Sequence, residues 1–537
     1  MLNCHINNSA FANSKNQVII MKCEYRKITD KGVKLENIGG REFLTIEPQV
    51  LTNLAEEAFH DLEFYLRKEH LDEWAKIVDD KEASANERFV CSSLIKNAII
   101  ASEGKLPLCQ DTGTATIFAW RGERVLTGGD DEKLLTDGIA AAWKNNCLRY
   151  SQNAPITMFE EKNTGNNMPP QIDISFAKGD EYRFMFMAKG GGSANKTVMV
   201  QASKAILNEK SLEEFLKEKI KGLGVAACPP YTLVVVVGGT SPELNLKTMK
   251  LASTGWYDEL PTKGDGLGSP FRDLEWEKRV MKIAEETGWG AQFGGRHMAM
   301  NARVIRMARH GGSCPISVGV SCSAHRNLAA VINKDGVFLE VTDKNPARLM
   351  NKCLEGGVSA DKIDLNKPMS EILAQLGKHM AGDMVLLNGT LIVARDMAHA
   401  RIHDMVEAGE PLPEYFKNHP VYYAGPARTP AGYAIGSFGP TTAQRMDGYI
   451  DYFMSRGASM VTLAKGNRAD AVIKACKTYG GFYLGTIGGA AALIAAENIK
   501  KSEVIAFPEY GMEAVHRIEV KDMPTFIIYD NKGRSLY

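Results

Sequence analysis

The sequence predicts an α/β protein built in two parts. A chain of 537 residues is longer than a single hydrophobic core usually covers. Apolar residues recur at helical spacing over 51–78 and again over 90–101. After residue 383, apolar strands alternate with helices rich in small residues, which favours a compact mixed domain. In that part we expect strands at 384–394, 482–487 and 525–529 and helices at 442–456, 470–478 and 489–498.

Changes in composition predict the boundaries. The first twenty residues, MLNCHINNSAFANSKNQVII, lack the basic and apolar regions of a secretory signal and are typical of a disordered polar leader, so Met1 and Met21 are both possible starts. A polar, helix-like run from 340 to 366 precedes a Lys-Pro pair and indicates the change to the second part. We therefore predict a leader (1–36), a first domain (37–350), a linker (351–368) and a second domain (369–537).

Composition excludes several classes of function. Lys plus Arg equals Asp plus Glu at 64 each, without a long basic run, so nothing indicates a partner that is nucleic acid or a membrane surface. No apolar stretch approaches the ~20 residues that span a bilayer. The ten cysteines lack the dense spacing of a secreted disulfide scaffold, which favours a reducing cytoplasm. No CxxC pair occurs, so any metal site would need distant cysteines that meet in space.

The middle of the first domain contains a candidate anion site. A helix is predicted over 137–150 with Arg149 at its end, and strands over 171–178 and 182–187. The stretch KGGGSANKT, which begins at Lys189, then passes through three glycines into a predicted helix. Backbone N–H groups at a helix start suit an anion, and without Walker spacing a carboxylate is a better ligand than a nucleotide.

Three stretches carry cysteines beside polar groups. In LPLCQDTGTAT, Cys109 precedes Gln110 and Asp111, a combination that suits both a soft metal and a substrate. The same loop would equally suit a buried apolar thiol and a turn-capping carboxylate. Cys228 precedes two prolines and a strongly apolar strand, on a loop that is rigid in either role. ARHGGSCPISVGVSCSAHRN contains the remaining candidates, His310, Cys314 and Cys322, on either side of a short strand at 316–320.

Basic residues of the second domain lie near glycines or strand ends. Each one alone would suit a solvated surface position, but several could point into one cleft. Such a cleft would favour a small polyanion such as a dicarboxylate. The residues are Arg395, Arg428, Arg445 and Lys465.

Together these stretches resemble the class I, iron–sulfur fumarate hydratases over nearly the whole chain from about residue 37. The separated motifs stand in the order of that family. They are LCQDTGT at Leu108, KGGGSANKT at Lys189, CPPYTLVVVVGGTSPE at Cys228, SVGVSCSAHRN at Ser317, NGTLIVARDMAHAR at Asn388, SFGPTTAQRMD at Ser437 and LAKGN at Leu463.

The resemblance implies a [4Fe–4S] cluster held by Cys109, Cys228 and Cys322, with Cys314 as a non-ligand. A cluster with three cysteine ligands leaves one iron open as a Lewis acid. The implied reaction is the reversible hydration of fumarate to (S)-malate, in which that iron polarises the departing C–O bond of malate.

The resemblance also implies substrate-site residues and an architecture. The implied proton-transfer candidates are Asp111 and Thr441, and chemistry favours the carboxylate because a threonine hydroxyl needs activation. The family layout keeps both open. A largely helical α/β domain would hold the cluster, a mixed-sheet domain would close the site, and the working unit would be a homodimer. The substrate-binding positions are Gln110, Arg149, Gly192, His310, Arg395, Arg445 and Lys465.

Two alternatives remain. One is a related iron–sulfur hydro-lyase, either a tartrate dehydratase, which resembles this chain split into two subunits, or a mesaconase, because a single methyl changes discrimination by only ~1–3 kcal/mol. The other is a non-catalytic regulatory protein that carries a cluster. The presence of Asp111, Thr441 and Lys465 favours an enzyme.

Overall fold

The α/β class is confirmed. A computed structural model describes residues 22–353 and 360–537, and both parts of the chain contain helices and sheets. The helices of the first part are α1 (Pro48–Phe64), α2 (Lys68–Asp79), α3 (Ala85–Ala101), α4 (Asp131–Asn145), α5 (Gly191–Ala194), α6 (Glu209–Leu223), α7 (Pro242–Ala252) and α8 (Leu274–Glu286). Those of the second part are α9 (Met369–Leu376), α10 (Asp396–Glu407), α11 (Glu414–Asn418), α12 (Asp447–Met454), α13 (Asp470–Tyr479) and α14 (Ala491–Leu493).

The strands of the described residues form three main sheets and three small ones. The first part contains β1 (Tyr25–Thr29), β2 (Val33–Ile38), β3 (Arg41–Ile46), β4 (Thr114–Gly122), β5 (Val125–Leu126), β6 (Asn153–Pro155), β7 (Glu161–Asn163), β8 (Gln171–Ala177), β9 (Tyr182–Lys189), β10 (Val198–Ala202), β11 (Tyr231–Gly239), β12 (Phe271–Arg272), β13 (Ala299–Arg309), β14 (Cys314–Ser321), β15 (Asn327–Asn333) and β16 (Gly336–Glu340). The second part contains β17 (Lys362–Asp364), β18 (Met384–Val393), β19 (Val421–Tyr422), β20 (Ala424–Pro426), β21 (Phe438–Pro440), β22 (Val461–Ala464), β23 (Phe482–Gly485), β24 (Ile499–Ala506) and β25 (Val515–Tyr529).

A six-stranded sheet in the order β1-β16-β15-β9-β4-β8 carries α1 and α4 on one face. The ring of Phe59 on α1 lies 5.4 Å from that of Trp143 on α4 and 5.8 Å from that of Phe186 on β9. Large aromatic contacts of this kind bury apolar area and fix the two helices on the sheet. The Cys109 loop leaves α3 and enters this sheet through β4.

A five-stranded sheet in the order β10-β14-β11-β13-β12 holds the other two candidate cysteine loops. Its central strand β11 is buried throughout, because alternate side chains face different helices. Val235 packs with α6 and α8, whereas Val234 and Val236 pack with α7. The continuous apolar run in the sequence is explained by this double coverage.

The second part contains a seven-stranded sheet in the order β17-β18-β19-β22-β23-β25-β24. Strand β25 is 15 residues long and pairs with both β23 and β18, which closes five of these strands into a ring. The strands β18, β19, β22 and β23 run parallel to one another, so the loops after them lie at the same end of the ring. Arg395 and Lys465 both lie in such loops.

The two parts share a hydrophobic core. Buried side chains of α2 and α3 belong to the same cluster as those of the C-terminal ring, with Phe293 stacked on Phe526 at 4.0 Å. The predicted linker is also shorter than expected: β17 lies inside it and pairs with β18, because Ile363 is buried in that core. The middle of the predicted linker, 354–359, lies outside the described residues.

Three local predictions are wrong. Residues 25–36 do not belong to a disordered leader, because β1 pairs with β16 and β2 pairs with β3; residues 1–21, with the alternative start Met21, lie outside the described residues. The helix expected over 137–150 ends at Asn145, so Arg149 lies in the loop beyond it. In the described residues of the helix-like run from 340 to 366, a 3₁₀ helix at Pro346–Lys352 and the strand β17 take the place of the expected α-helix.

Candidate active site

The three cysteines predicted to be ligands come from loops that the two sheets of the first part bring together. Cys109 lies between α3 and β4, Cys228 between α6 and β11, and Cys322 directly after β14. Because Thr232 on β11 lies opposite Ser321 on antiparallel β14, the second and third cysteines lie at the same end of one sheet. The backbone N–H of Ser323 donates to the carbonyl of Cys228 at 3.0 Å and ties the two loops together.

Cations lie beside these three thiols. We call the thiols of Cys109, Cys228 and Cys322, together with these cations, the cysteine side of the site. Cys109 and Cys228 are buried and Cys322 is half-buried. The Nζ of Lys465 donates to the Sγ of Cys228 at 2.9 Å. Burial raises the pKa of the Cys109 thiol to about 12, and Arg326 and Lys465 oppose that rise. The positive charges would stabilise thiolates at a site that burial otherwise makes unfavourable for them.

Two glycines pack closely against the Cys228 and Ser323 side chains. A Cβ at Gly488 would lie 2.2 Å from the Sγ of Cys228, so no side chain fits there without displacing the thiol. Gln292 fixes this glycine, since its Oε1 accepts from the N–H of Gly488 at 2.7 Å and its Nε2 donates to the carbonyl of Gly488 at 2.9 Å. A Cβ at Gly489 would likewise lie 2.5 Å from the Oγ of Ser323. The backbone therefore holds Cys228 closely.

Asp111 fills the anion site predicted at the glycine stretch. Its Oδ2 accepts from the N–H of Gly191 at 2.9 Å, and its Oδ1 accepts from the N–H of Gly113 at 3.2 Å and pairs with Arg149 at 2.7 Å. The expected helix is the four-residue α5. Burial alone would raise the pKa of Asp111, but Arg149, Arg326 and Lys465 together lower it well below its usual value. The carboxylate bound at the glycine turn thus belongs to the chain itself. Gly192 lies beyond this contact, with its Cβ position 3.6 Å from the Nζ of Lys465.

Gln110 links the cysteine side to the second part of the chain. The thiol of Cys109 donates to its Oε1 at 3.5 Å, and its Nε2 donates to the carbonyl of Pro440 at 3.0 Å. A Cβ at Gly439 would lie 2.4 Å from the same Oε1, so the glycine makes room for the amide. Because Thr441 is the next residue after Pro440, the amide sets the position of the Thr441 backbone relative to Cys109.

Three arginines form what we call the arginine side of the site: Arg149, Arg395 and Arg445. Burial, together with the nearby charges of Arg149 and Arg445, lowers the pKa of Arg395 to about 10 despite the opposing effect of Glu513. The Nη2 of Arg395 pairs with Glu513 at 2.7 Å, but its Nε and Nη1 have no partner among the described residues. A buried guanidinium with unsatisfied donors is suited to a ligand carboxylate.

Thr441 and Arg445 are in direct contact. Arg445 donates to the hydroxyl oxygen of Thr441 and pairs with Asp396 at 2.7 Å. The N–H of Lys465 donates to the carbonyl of Thr441 at 3.1 Å, so the cation beside Cys228 and this hydroxyl are fixed on neighbouring segments. The two sides of the site therefore meet at Thr441 and Lys465.

Two of the basic or polar candidates do not join this group. His310 is exposed in the turn between β13 and β14, and its Nδ1 accepts from the N–H of Gly312 at 3.1 Å. Cys228 precedes the first residue of β11, and Gly239 at the other end of that strand lies opposite Arg309. The nine-residue length of β11, about 26 Å, therefore separates His310 from the cysteines. The structure therefore places His310 outside the site of its own chain. Arg428 instead donates to the Tyr150 hydroxyl at 2.7 Å and lies over its ring.

Cys314, predicted to be a non-ligand, lies at the same remote end as His310. It is fully buried at the start of β14, where it pairs with Ala202 of β10. Strand β14 separates it from Cys322. The structure thus keeps this thiol apart from the other three.

Sequence reasoning missed several residues around the site. Glu63 on α1 forms a buried ion pair with Arg326, Glu513 pairs with Arg395, and Asp396 pairs with Arg445. Arg326 and Asp396 lie inside motifs that already pointed to the site, and that neighbourhood was the available signal. Glu63 and Glu513 carry no local signal, because ion-pair partners distant in sequence cannot be recognised from one chain.

The donor set fits an iron–sulfur cluster better than a single metal ion. Over the described ranges 22–353 and 360–537, no three His, Cys, Asp or Glu side chains converge as the ligands of one ion. A four-iron cluster binds each cysteine through a different iron, so its cysteines surround a space instead of one atom. Thiols from three loops and cations that favour thiolates are both compatible with such a group. Among the same residues, no helix has the length and apolar character needed to cross a membrane.

Comparison with known proteins covers both parts of the chain. The family model described as fumarate hydratase (fumerase) matches residues 52–331, and the model described as fumarase C-terminus matches residues 336–537. The chain is 53% identical over 518 residues to fumarate hydratase 2 of Leishmania major, covering 96% of this chain and 91% of that one. It is 51% identical over 516 residues to the anaerobic class I fumarate hydratase of Escherichia coli (strain K12), covering 96% and 94%.

A more distant match covers less than a third of the chain. A putative L(+)-tartrate dehydratase subunit beta of Methanocaldococcus jannaschii is 34% identical over 164 residues, which is 30% of this chain and 84% of that subunit. The two fumarate hydratases described above match 96% of the chain and are identical to it at more than half of the aligned positions. The chain therefore belongs to the class I fumarate hydratase family and is an enzyme of the hydro-lyase type.

Proposed function

We propose that the chain catalyses the reversible hydration of fumarate to (S)-malate. The observation that carries this proposal is the arginine side next to the cysteine side, with two nitrogens of buried Arg395 left without a partner. A small dicarboxylate would neutralise these cations and satisfy those donors. The names of the two full-length relatives support the same substrate.

We further propose that Cys109, Cys228 and Cys322 hold a [4Fe–4S] cluster. When bound by three thiolates, such a cluster supplies a Lewis-acidic iron with an open coordination position. Lys465 donates to Cys228 and, with Arg326, would stabilise the thiolate form of the ligands. The buried setting limits access of water to the thiols.

The side chains on the arginine side would bind and orient the substrate. Arg395 and Arg445 present guanidinium groups from the second part, and Arg149 presents one from the first. Positive charge at a substrate carboxylate also stabilises the charge that develops there when the adjacent C–H proton leaves. The same cations would thus contribute to binding and to the rate of proton removal.

For the proton transfer itself we propose Thr441. Both carboxylate oxygens of Asp111 are occupied by Arg149 and by the N–H groups of Gly113 and Gly191, which suits a role in holding that arginine. The Thr441 oxygen instead accepts from the Arg445 guanidinium, and a donor of this kind favours the ionised form of a hydroxyl. These contacts support Thr441 as the proton-transfer residue, whereas simple basicity favours Asp111.

An anaerobic experiment tests the function directly. Protein purified and reconstituted without oxygen is analysed for iron and sulfide, and fumarate absorbance is followed after the protein is added. We expect turnover that scales with cluster content. Full cluster content without turnover of fumarate or malate would exclude the enzyme assignment for this chain and favour a regulatory role for the cluster.

The second candidate substrate class is tartrate or mesaconate. The similarity of 30% of the chain to a putative tartrate dehydratase subunit motivates the comparison. Because one methyl group changes discrimination by only ~1–3 kcal/mol, mesaconate is expected to react more slowly by about 10- to 200-fold. Ratios of kcat/KM for the three substrates measure this; a larger value for tartrate than for fumarate would reassign the chain.

We propose that the chain acts as a cytoplasmic homodimer. One chain does not bring His310 to its own cysteines, so the predicted substrate role of His310 requires a second copy. Sedimentation analysis tests the dimer. Mixing inactive His310→Ala protein with inactive Thr441→Val protein tests the histidine: subunit exchange should restore activity, whereas activity retained by His310→Ala alone would remove this residue from the site. Imaging of a fusion to the full chain tests the location.

A further inference from the structure

Arg326 and Glu63 form the most completely buried ion pair near the cysteine side. The Nη1 of Arg326 lies 2.8 Å from the Oε2 of Glu63, and the side chains are 1% and 0% exposed. The Nε of Arg326 and the Oε1 of Glu63 have no partner within the described parts of the chain. Burying two charges carries a large desolvation cost, so an imperfectly satisfied pair at this depth is weakly explained by stability alone.

The backbone places this pair beside two of the proposed ligands. Arg326 follows Cys322 by four residues, and its carbonyl accepts from the N–H of Ala188 at 3.1 Å. The carbonyl of Glu63 accepts from the N–H of Leu108, the residue before Cys109, at 2.9 Å. One ion pair is thereby fixed to the segments that carry the first and third cysteines.

The guanidinium of Arg326 interacts electrostatically with the thiols of Cys109 and Cys322. Burial lowers the pKa of Arg326, but Glu63, Cys109 and Cys322 together raise it above its usual value. Arg326 also opposes the rise of the Cys109 pKa, whereas Glu63 is not among the leading groups that act on that thiol. Of the two charges in the pair, Arg326 therefore has the larger effect on Cys109.

We propose that Arg326, held by Glu63, is a positioning residue that supplies fixed positive charge beside Cys109 and Cys322 and thereby controls how easily the bound cluster is reduced and how firmly it is retained. This inference rests on the proposed [4Fe–4S] cluster. A reduced cluster carries one more negative charge, which a nearby cation in a medium of low dielectric constant stabilises. Removing the cation should lower the reduction potential, and removing its counter-ion should raise it.

Four variants test the proposed effect of the Arg326 charge. They are chosen so that the test does not depend on a single variant with an unpaired buried charge, which could fail to fold. Glu63→Gln removes the counter-ion, and Arg326→Lys keeps the cation. The double variant Glu63→Leu with Arg326→Met replaces the pair by apolar groups, a change that buried pairs often tolerate. Glu340→Gln is the matched control, because Glu340 pairs with Arg67 at 2.9 Å in the same half of the chain and contacts none of the three cysteines.

The reconstituted proteins are compared by iron and sulfide content, by redox titration monitored through electron paramagnetic resonance, and by the rate of cluster loss to a chelator. We expect a higher potential in Glu63→Gln, a lower potential and about 10–100-fold faster cluster loss in the apolar double variant, and values near wild type in Arg326→Lys and Glu340→Gln. Shifts of opposite sign in Glu63→Gln and the double variant would indicate an effect of charge. A purely structural role would change the potential of both variants in the same direction.

Unshifted potentials and unchanged retention in a loaded double variant would overturn the inference, as would shifts of equal sign in Glu63→Gln and the double variant. A wild-type protein that binds no iron or sulfide would overturn the cofactor proposal as well. The two failures are therefore distinguishable before any activity is measured.

Discussion

The cysteine side and the arginine side of the site are built in different ways. The cysteines lie on short loops that are fixed by backbone hydrogen bonds, and Gly488 packs directly on the thiol of Cys228. The arginines reach the site on long side chains, and Arg395 retains two nitrogens without partners in the described structure. Preformed, tightly packed donors suit a group that stays bound, whereas unsatisfied cations suit a ligand that exchanges.

Few residues connect the two sides. Gln110 reaches from the Cys109 thiol to the carbonyl before Thr441, and Lys465 bonds to Cys228 while its backbone bonds to Thr441. Substitutions on the cysteine side should therefore affect the cofactor first, and those on the arginine side should affect kinetics while the cofactor remains. The following predictions separate these outcomes.

The largest effect is expected at Cys322. Cys322→Ser should lose the cluster and essentially all activity, because a serine oxygen is a poor replacement for a thiolate on iron. Cys314→Ser is the matched control, since that thiol lies at the other end of β14. Iron and sulfide analysis of both variants provides the measurement. Equal cluster loss in the two proteins would contradict the ligand assignment.

Thr441→Val should lower kcat by about 10²–10⁴-fold while iron and sulfide content stays at the wild-type level. Valine keeps the size of threonine but removes the hydroxyl that accepts from Arg445. Thr441→Ser restores a hydroxyl and should recover much of the rate. Exchange of the malate C3 proton with deuterated solvent reports the proton step separately, and unimpaired exchange in Thr441→Val would return the assignment to Asp111.

Arg395→Met should reduce kcat/KM by about 10²-fold, equivalent to ~2.7 kcal/mol, mainly through KM. The lost guanidinium is the buried donor that we assign to a substrate carboxylate. Arg428→Met is the control, because this arginine bonds to Tyr150 outside the site. Steady-state kinetics on cluster-loaded proteins, with thermal melts to confirm folding, make the comparison. Equal losses in both variants would show that general charge, not position, is responsible.

The cysteine side was more predictable from the sequence than the arginine side. Each proposed ligand lies in a motif of unusual composition, and the apolar run after Cys228 correctly indicated the strand β11. The role of Asp111 was less accessible, since a turn rich in N–H groups looks the same whether it binds a ligand or a carboxylate of the chain. Likewise, the buried partners Glu63 and Glu513 become visible only after folding.

The position of His310 illustrates a limit of motif reasoning. It shares one sequence stretch with Cys322, yet β14 lies between them, and an extended strand carries its two ends far apart. The sequence also did not indicate β2, because its residues are polar and largely exposed. Pairing with β3, and not a buried face, holds this strand in place. Local composition identifies such residues poorly, because their structure depends on distant partners.

The smallest effect is expected at the amide that joins the two sides. Gln110→Leu removes the donor to the Pro440 carbonyl but keeps an apolar side chain of similar length beside Gly439. A neutral hydrogen bond of this kind contributes about 1 kcal/mol, so kcat should fall roughly fivefold to tenfold as Thr441 becomes less well positioned. Cluster content should not change, because Gln110 is not a ligand. Gln110→Glu keeps the shape and replaces the donor by a second acceptor, so its carboxylate should repel the Pro440 carbonyl and lower kcat further than leucine does. Loss of iron in Gln110→Leu would instead indicate that Gln110 supports the cluster and does not act mainly by positioning Thr441.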